Sequence, residues 1–205
     1  TIARISRFQV NTSNFEQIVP NSKFILFGTN KTDGFPLVGD HAGGQLLFGE
    51  DGSLIVSCGD GGHFGENKEQ QAFNEGFITQ EEFNAGLKWR SQITNSLNGK
   101  ILRLNPANGD GFYSNPYFNS SQPRSAASRM YQRGLRNAFR INIKPGTGSA
   151  SFPGVIIIND VGQDIKEEIN VASIPDQNFG WPAFEGMDLP YLTNKPSLTP
   201  NNWEK

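Results

Sequence analysis

A histidine that stands beside an aspartate is the clearest candidate for chemistry in this sequence. Asp40 and His41 lie in the segment GDHAGG, just before an apolar run that begins at Gln45. An imidazole titrates near neutral pH, and a neighbouring carboxylate favours one tautomer and raises its basicity, so such a histidine can be a general base. The alternative is a hydrogen-bonded structural histidine in a turn, because paired titratable groups are often structural.

A second candidate is a local concentration of arginines in a chain whose net charge is −2. Guanidinium groups pair bidentately with carboxylates, which suits an anionic cofactor or substrate. Solvated arginines on a loop and a strand are the alternative. Aromatic residues are not interleaved with these arginines, which disfavours nucleic acid. The residues are Arg124, Arg129, Arg133, Arg136 and Arg140.

Motifs for metal, phosphate or acyl-transfer chemistry are nearly absent from the sequence. The single cysteine, Cys58, excludes a disulfide within the chain and a cysteine zinc cage. The segment Gly59–His63 lacks the ending of a P-loop and indicates a tight turn that needs a positive φ. A serine-hydrolase elbow is also missing. The oxygen-rich turn Val161–Asp164 could offer backbone carbonyls to Ca²⁺, a hard ion that accepts them.

The composition describes the scaffold that must position these residues. The chain has 205 residues, among them 23 Gly and 12 Pro, which makes a coiled coil or a helical bundle improbable. Its 16 Phe can fill a core, which argues against disorder. A pI near 5.7 gives no general attraction to nucleic acid or anionic membranes. The longest apolar stretch, Val155–Ile158, is far shorter than the roughly 20 residues of a membrane helix.

Short apolar segments alternate with turn clusters, a pattern typical of all-β folds. Gln45–Phe48 and Leu54–Cys58 flank the turn GEDG, which predicts a hairpin. A loose pattern of strand, Gly/Asp turn and strand recurs around Gln45–Cys58, Ile101–Gly111 and Phe139–Val161, which suggests propeller blades. Further strands are predicted at Ile5–Val10, Lys100–Leu104, Arg140–Ile143, Val155–Asn159 and Ile169–Val171.

One segment departs from the strand pattern. Thr79 followed three residues later by Glu82 fits a capping box, which predicts a short helix from about Gln80 to Lys88. This helix lies in a long excursion between two strands, residues 63–96. Long loops in compact domains are often functional, and disorder is the alternative.

Eight segments, in order along the chain, resemble the glucose/sorbosone dehydrogenase family, the soluble sugar dehydrogenases that use pyrroloquinoline quinone (PQQ). No single segment is decisive, but their shared order makes the resemblance strong. They are SRF (6–8), GDHAGGQLLFGEDGSL (39–54), SCGDGG (57–62), LNGKILRLNP (97–106), NPYF (115–118), GLRNAFR (134–140), NDVGQDIKEEIN (159–170) and NFGWPAFEG (178–186).

The resemblance implies an all-β fold, a six-bladed β-propeller with its cofactor over the central channel. Six blades of about 40–50 residues need far more than 205 residues. We therefore expect residues 1–205 to form a partial propeller of about three to four blades, truncated at both ends. Residues 63–96 would be a loop and helix insertion within it, and flanking sequence would supply the rest of the ring.

The resemblance also assigns roles to matching residues. His41 would be the catalytic base that takes the proton of a sugar hydroxyl while hydride passes to the quinone, and Asp40 would orient the site. Arg136 and Asn137 fall on the pair that contacts the oxygens of PQQ, where Arg136 could stabilise developing negative charge.

The cofactor's Ca²⁺ would be held by the backbone carbonyls of Gly162 and Gln163, again by resemblance. Two positions depart from the family pattern. Gly61 stands where some members carry a cofactor-contacting Gln, and Ala138 replaces the usual Pro after Arg-Asn. The long insertion is a further departure that would flank or overhang the site.

Two functions follow as expectations. The first is part of a PQQ-dependent aldose dehydrogenase, extracellular or periplasmic, with a sugar substrate and no nucleic-acid partner or membrane span. The second is a non-catalytic extracellular propeller that binds a protein or glycan or serves a structural role. The isolated chain is expected to be inactive, because part of a ring carries only part of a cofactor site.

Overall fold

The computed structural model describes residues 1–37, 40–62, 68–86, 88–163 and 166–186, and strands dominate it. This confirms the all-β prediction. None of the helices described is long and apolar enough to cross a membrane. The strands are β1 (Ile5–Arg7), β2 (Val10–Asn11), β3 (Asn14–Ile18), β4 (Phe24–Phe27), β5 (Leu46–Phe48), β6 (Leu54–Cys58), β7 (Lys100–Leu104), β8 (Met130–Arg133), β9 (Ala138–Ile143), β10 (Ile156–Asp160) and β11 (Glu168–Ala172).

The central sheet has four antiparallel strands in the order β5-β6-β7-β8. Strands β6 and β7 are buried along their whole length, as expected for inner strands of a stacked sheet. The predicted hairpin between β5 and β6 is confirmed. Its turn closes with a 2.8 Å hydrogen bond from the Gly49 amide to the Ser53 carbonyl, and Gly52 has a φ of 78°.

The predicted repeat is wrong in one respect. The segment Ile101–Gly111 does not begin a separate blade, because β7 pairs with β6 in register Leu54 with Leu104. Strands β6 and β7 are separated in sequence by about the length of a whole blade, but that separation comes from the insertion, and both strands belong to one sheet. The loop after β7 returns only as an isolated bridge between Leu104 and Gly111.

A second sheet has three antiparallel strands in the order β11-β10-β9. It packs against the first sheet through a shared apolar cluster that includes Ile55 and Ile101 from one sheet and Ile141 and Ile158 from the other, all fully buried. This packing brings the ends of β6, β9 and β10 together, which is where the candidate residues lie.

The N-terminal segment is more divided than predicted. Ile5–Val10 is not one strand, because β1 pairs with β4 while β2 pairs with β3 in a separate two-stranded sheet. The fully exposed pattern of β3 explains why no burial signal predicted it. Leu26 and Phe27 of β4 join the core beneath β6 and β7.

The insertion contains helices α1 (Lys68–Asn74) and α2 (Gln80–Ala85), followed by a 3₁₀ turn at Lys88–Ser91. The capping box is confirmed: Thr79 Oγ1 accepts from the Glu82 amide at 3.2 Å, and the Glu82 carboxylate accepts from the Thr79 amide at 2.8 Å. The helix ends earlier than predicted, because Gly86 caps it with a φ of 80°. His63 and the first residues of the predicted insertion lie outside the described residues.

A short helix α3 (Ala126–Arg129) precedes β8. Ser125 caps it by accepting from the Ser128 amide. This places Arg129 in the interior and starts β8 at Met130, so the arginine-rich segment becomes part of the central sheet.

Candidate active site

His41 lies in the loop before β5, against the loop that follows β6. Its φ of 56° is in the left-handed region, which is uncommon for a residue other than glycine and marks a position held by its surroundings. Gly59 allows this close approach, because a Cβ there would lie 2.1 Å from the His41 carbonyl oxygen. The two loops therefore meet backbone to backbone.

A hydrogen-bonded chain runs from His41 to Trp181 through Asp60. The imidazole Nδ1 lies 2.7 Å from Asp60 Oδ1, and the indole Nε1 of Trp181 donates to Asp60 Oδ2 at 2.7 Å. The Gly62 amide donates to Asp60 Oδ1 at 2.7 Å as well. Because Asp60 is fully buried and accepts from both sides, its carboxylate has one fixed orientation.

Asp60, and not the adjacent Asp40, is the carboxylate on His41 Nδ1. Asp40 is exposed. The His41 side chain keeps 14% of its surface accessible, so it is not fully enclosed by the two loops. A histidine held by a buried carboxylate through Nδ1 presents Nε2 as its other polar atom.

Arg136 and Asn137 form a turn that is fastened to the end of β10. The Arg136 and Asn137 amides donate to the two carboxylate oxygens of Asp160, at 2.9 and 2.6 Å. The Arg136 guanidinium donates through Nη1 to the Val161 carbonyl at 2.8 Å. The Arg136 carbonyl accepts from the Asp60 amide at 2.7 Å, which ties this turn directly to the histidine's partner.

Burial raises the pKa of Asp160 to about 7, although the two amide hydrogen bonds oppose the rise. The nearby carboxylates Glu168 and Asp60 raise it further. Asp160 is therefore a buried carboxyl at the foot of the site whose charge changes near neutral pH.

Trp181 is the point where the candidate residues converge. The Arg136 guanidinium carbon lies 5.5 Å from the centroid of the indole ring, and the Lys88 ammonium also lies 5.5 Å from it. Arg136 is 7% exposed, and its Nε has no hydrogen-bond partner among the described residues. The site thus combines an aromatic surface, two cations and a histidine.

The turn at Gly162 and Gln163 follows β10 directly. Gly162 is required there, because a Cβ would lie 1.7 Å from the Lys166 carbonyl oxygen. The Gly162 amide donates to Glu167 at 3.2 Å, and the Gln163 amide donates to the buried carboxylate of Glu185. Over the described residues, no group of three or more His, Cys, Asp or Glu side chains is arranged to hold a metal. Asp164, the last residue of the predicted oxygen-rich turn, lies outside the described residues.

The remaining arginines do not join this site. Arg124 and Arg129 both pair with Asp33, at 2.7 and 2.8 Å, and hold the loop after β4 against the central sheet. Arg133 approaches Asp176 at 3.7 Å, and Arg140 lies over the Phe139 ring. The arginine concentration is therefore a set of separate contacts, of which Arg136 alone lies beside Trp181 among the described residues.

Four residues of the site were missed by sequence reasoning: Asp60, Asp160, Trp181 and Lys88. Asp60 and Trp181 stand in the segments SCGDGG and NFGWPAFEG, which carried the resemblance without being given roles. Lys88 had no signal, since a lysine in a polar insertion is typical of a solvated surface.

The sequence and fold of this chain are similar to those of known proteins. The sequence profile of the Glucose / Sorbosone dehydrogenase family matches residues 3–197. HIPL1 protein of Arabidopsis thaliana is 31% identical over 183 residues, which cover 80% of this chain and 22% of that protein. Quinoprotein glucose dehydrogenase B of Acinetobacter calcoaceticus is 29% identical over 159 residues, 75% of this chain and 28% of that protein.

The solved structure of the PQQ-bound aldose sugar dehydrogenase from Streptomyces coelicolor superposes with a TM-score of 0.61 and 26% identity, covering 90% of this chain and 41% of that one. The chain thus spans less than half the length of each of these relatives. The likeness confirms the all-β, propeller-like fold. Because the family profile covers nearly all of its residues, this chain belongs to the glucose/sorbosone dehydrogenase family.

Proposed function

We propose that this chain is part of a PQQ-dependent sugar dehydrogenase in which His41 removes the proton of a sugar hydroxyl. The observation that carries the proposal is the His41–Asp60–Trp181 chain, with its accessible imidazole and fully buried carboxylate. A general base must be accessible on one nitrogen and oriented through the other; Asp60 supports the orientation through Nδ1, and we propose that Nε2 is the nitrogen that meets the sugar hydroxyl.

Asp60 is the positioning residue for that step. It accepts a hydrogen bond from Nδ1–H of His41, so the Nε2 lone pair is left to accept the hydroxyl proton. As the proton arrives, the imidazole becomes cationic and the Asp60 carboxylate stabilises the new charge. Trp181 and the Gly62 amide hold the carboxylate in place, so it does not turn away when the charge changes.

The residues around Trp181 fit PQQ, a planar quinone that carries carboxylates. Arg136 is buried at the indole ring with an Nε that has no partner among the described residues, and so can donate to an oxygen of a ligand. Asn137 is fixed beside it through Asp160. When bound, PQQ supplies the acceptor for the hydride that leaves the sugar carbon.

The donor set at Gly162 and Gln163 does not fit Ca²⁺ equally well. The Lys88 ammonium donates to the side-chain oxygen of Gln163, so a divalent cation at this turn would meet a positive charge. The proposed proton transfer to His41 involves no calcium ion.

The proposal concerns the whole protein of which this chain is a part, since the chain covers 41% of the aldose sugar dehydrogenase it resembles. We propose that the rest of the propeller completes the cofactor site and that the protein works outside the cytoplasm, in the periplasm or the extracellular space. Its partners would be a sugar and PQQ.

A second candidate is a non-catalytic propeller that binds a protein or a glycan. Two features favour it. Gly61 leaves no side chain where some family members carry a cofactor-contacting Gln, and the insertion with α1 and α2 packs beside the site through Lys88. The two candidates differ in one respect that can be measured, which is turnover.

The test is dye reduction by the full-length protein with PQQ and a panel of aldoses, with and without CaCl2. We expect turnover with at least one aldose, and a loss of about 10²–10⁴-fold in kcat for His41→Ala with PQQ binding retained. Lys144→Ala, a change at an exposed lysine just after the end of β9, is the control. Absence of turnover with every aldose, or an unchanged rate in His41→Ala, would favour the second candidate.

A further inference from the structure

Lys88 places an ammonium group at the turn that the resemblance assigns to Ca²⁺. It is the first residue of the 3₁₀ turn in the insertion, and its Nζ donates to Oε1 of Gln163. The same Nζ lies 5.5 Å from the centroid of the Trp181 ring. Lys88 is half-buried, and its ammonium group contacts the site through Gln163 and Trp181.

The backbone around Lys88 is held in place by several hydrogen bonds. Ser91 Oγ lies 2.8 Å from the Lys88 carbonyl oxygen and 2.6 Å from the Trp181 carbonyl oxygen, so its one hydroxyl proton can be donated to either of them. The buried Lys100 ammonium donates to the carbonyls of Arg90 and Ser91 at 2.9 and 2.7 Å. The 3₁₀ turn is thus fixed to the Trp181 loop on one side and to β7 on the other.

Carboxylates surround the same turn and favour a cation there. Glu185 is 1% exposed, and its Oε1 accepts from the amides of Gln163 and Lys166. Asp160 lies at the end of the preceding strand and is also buried. Buried carboxylates are stabilised by a nearby positive charge, which can come from a metal ion or from a side chain.

We propose that Lys88 supplies the positive charge at the Gly162–Gln163 turn that Ca²⁺ would otherwise supply, so that PQQ binds without a divalent cation. This inference rests on the proposed function, since it concerns the same cofactor site. Lys88 and Arg136 lie at equal distance from the Trp181 ring, so the two cations together suit a planar, anionic ligand placed beside that ring.

The test is a binding titration with the full-length protein, in which PQQ quenches tryptophan fluorescence. It is run in CaCl2 and again in EGTA after the protein has been stripped of divalent ions. We expect the Kd of the wild type to differ by less than about twofold between the two conditions. For Lys88→Met we expect a Kd about 10–100-fold higher in EGTA, as for the loss of one charged hydrogen bond, with partial recovery in CaCl2.

Lys88→Arg keeps the charge and should bind within a few-fold of the wild type in EGTA, while Lys144→Met controls for the loss of an exposed lysine. Thermal melts of the apo-proteins report folding. If Lys88→Met does not fold, the comparison of the wild type in CaCl2 and in EGTA still tests whether PQQ binds without a divalent cation.

A wild-type Kd that rises tenfold or more in EGTA overturns the role of Lys88 and leaves the proposed function standing. An unchanged Kd for folded Lys88→Met in EGTA also overturns it. Absence of PQQ binding in every condition overturns both proposals.

Discussion

Nδ1 of His41 lies 2.7 Å from Oδ1 of Asp60, although the two residues are 19 positions apart. His41 precedes the β5–β6 hairpin in sequence and Asp60 follows it. The hairpin folds back so that the loop before β5 meets the loop after β6. The contact therefore depends on the strand register, and the orientation of His41 follows from the sheet.

The first prediction is that Asp60→Asn lowers kcat strongly and lowers the free energy of unfolding only slightly. Asp60 accepts from His41, from the Gly62 amide and from Trp181, whereas an asparagine has one oxygen and would turn an amide NH₂ toward one of these donors. The tautomer of His41 is then no longer fixed. We expect kcat for aldose oxidation to fall about 10²-fold or more.

A pH–rate profile distinguishes this role from a structural one, because only the loss of a carboxylate that acts on the base should change how kcat/KM depends on pH. Asp110→Asn, a change at a carboxylate away from the site, should leave the profile in place. A profile that is unshifted in Asp60→Asn would contradict the positioning role.

The second prediction concerns Gly59, which carries no chemistry of its own. An added Cβ would lie 2.1 Å from the His41 carbonyl oxygen and 2.7 Å from the His41 carbonyl carbon, so the backbone of the catalytic loop must move. We expect Gly59→Ala to lower the free energy of unfolding by about 1–3 kcal/mol and to abolish most turnover. Chemical denaturation and dye reduction measure the two effects.

Gly52→Ala is the matched control. Its Cβ would meet nothing within 4 Å, so it is penalised only for a φ of 78°. It should lose stability and keep its turnover, provided that the protein is folded under the assay conditions. Equal turnover in Gly59→Ala and Gly52→Ala would show that turnover does not depend on the close approach of the Gly59 loop to the His41 loop.

The strands that could be predicted from the sequence are those that contain two or more adjacent apolar residues between turn signals. Strands β6 and β7 are buried on both faces and were placed correctly from residues such as Ile55 and Ile101. Strand β8 was missed, because its Gln132 and Arg133 looked like part of a basic segment. A buried polar side chain is satisfied by tertiary partners that a single sequence does not reveal, as when Gln132 donates to the Ile174 carbonyl.

The candidate site could be predicted only where a short motif carries it. His41 and Arg136 stand in recognisable segments, and the structure joins them through Asp60 and Trp181. The Trp181–Asp60 bond spans 121 positions, and nothing local in either segment indicates it. The contact of Lys88 with the site depends on how the insertion folds, which local propensity does not determine.

The third prediction tests the capping box of α2. Thr79 accepts from the Glu82 amide at 3.2 Å and satisfies one of the otherwise unbonded amides at the helix start. We expect Thr79→Ala to lower the free energy of unfolding by about 1 kcal/mol and to speed hydrogen exchange within residues 80–85. Thr79→Ser retains the hydroxyl and should exchange like the wild type. Equal exchange rates in the wild type, Thr79→Ala and Thr79→Ser would contradict the role of the Thr79 hydroxyl in stabilising the helix.

The last prediction follows from the pKa of Asp160, which burial raises to about 7 from 3.8. Between these values the folded protein holds a proton that the unfolded chain releases, so the folded state binds more protons. The stabilisation from this group is complete below about pH 3.8 and is lost as pH rises toward 7. We expect the difference in free energy of unfolding between wild type and Asp160→Asn to fall over that interval.

Urea denaturation at intervals from pH 4 to pH 8 measures this difference, and taking it against Asp160→Asn cancels the titration of carboxyls far from the site. Asp110→Asn serves as the control, since its difference from the wild type should not show the same fall. The Asp160 carboxyl also fastens Arg136 and Asn137, so PQQ affinity should change with its charge over the same pH range. A difference that stays flat or rises between pH 4 and pH 7 would mean that Asp160 is ionised in the folded protein throughout.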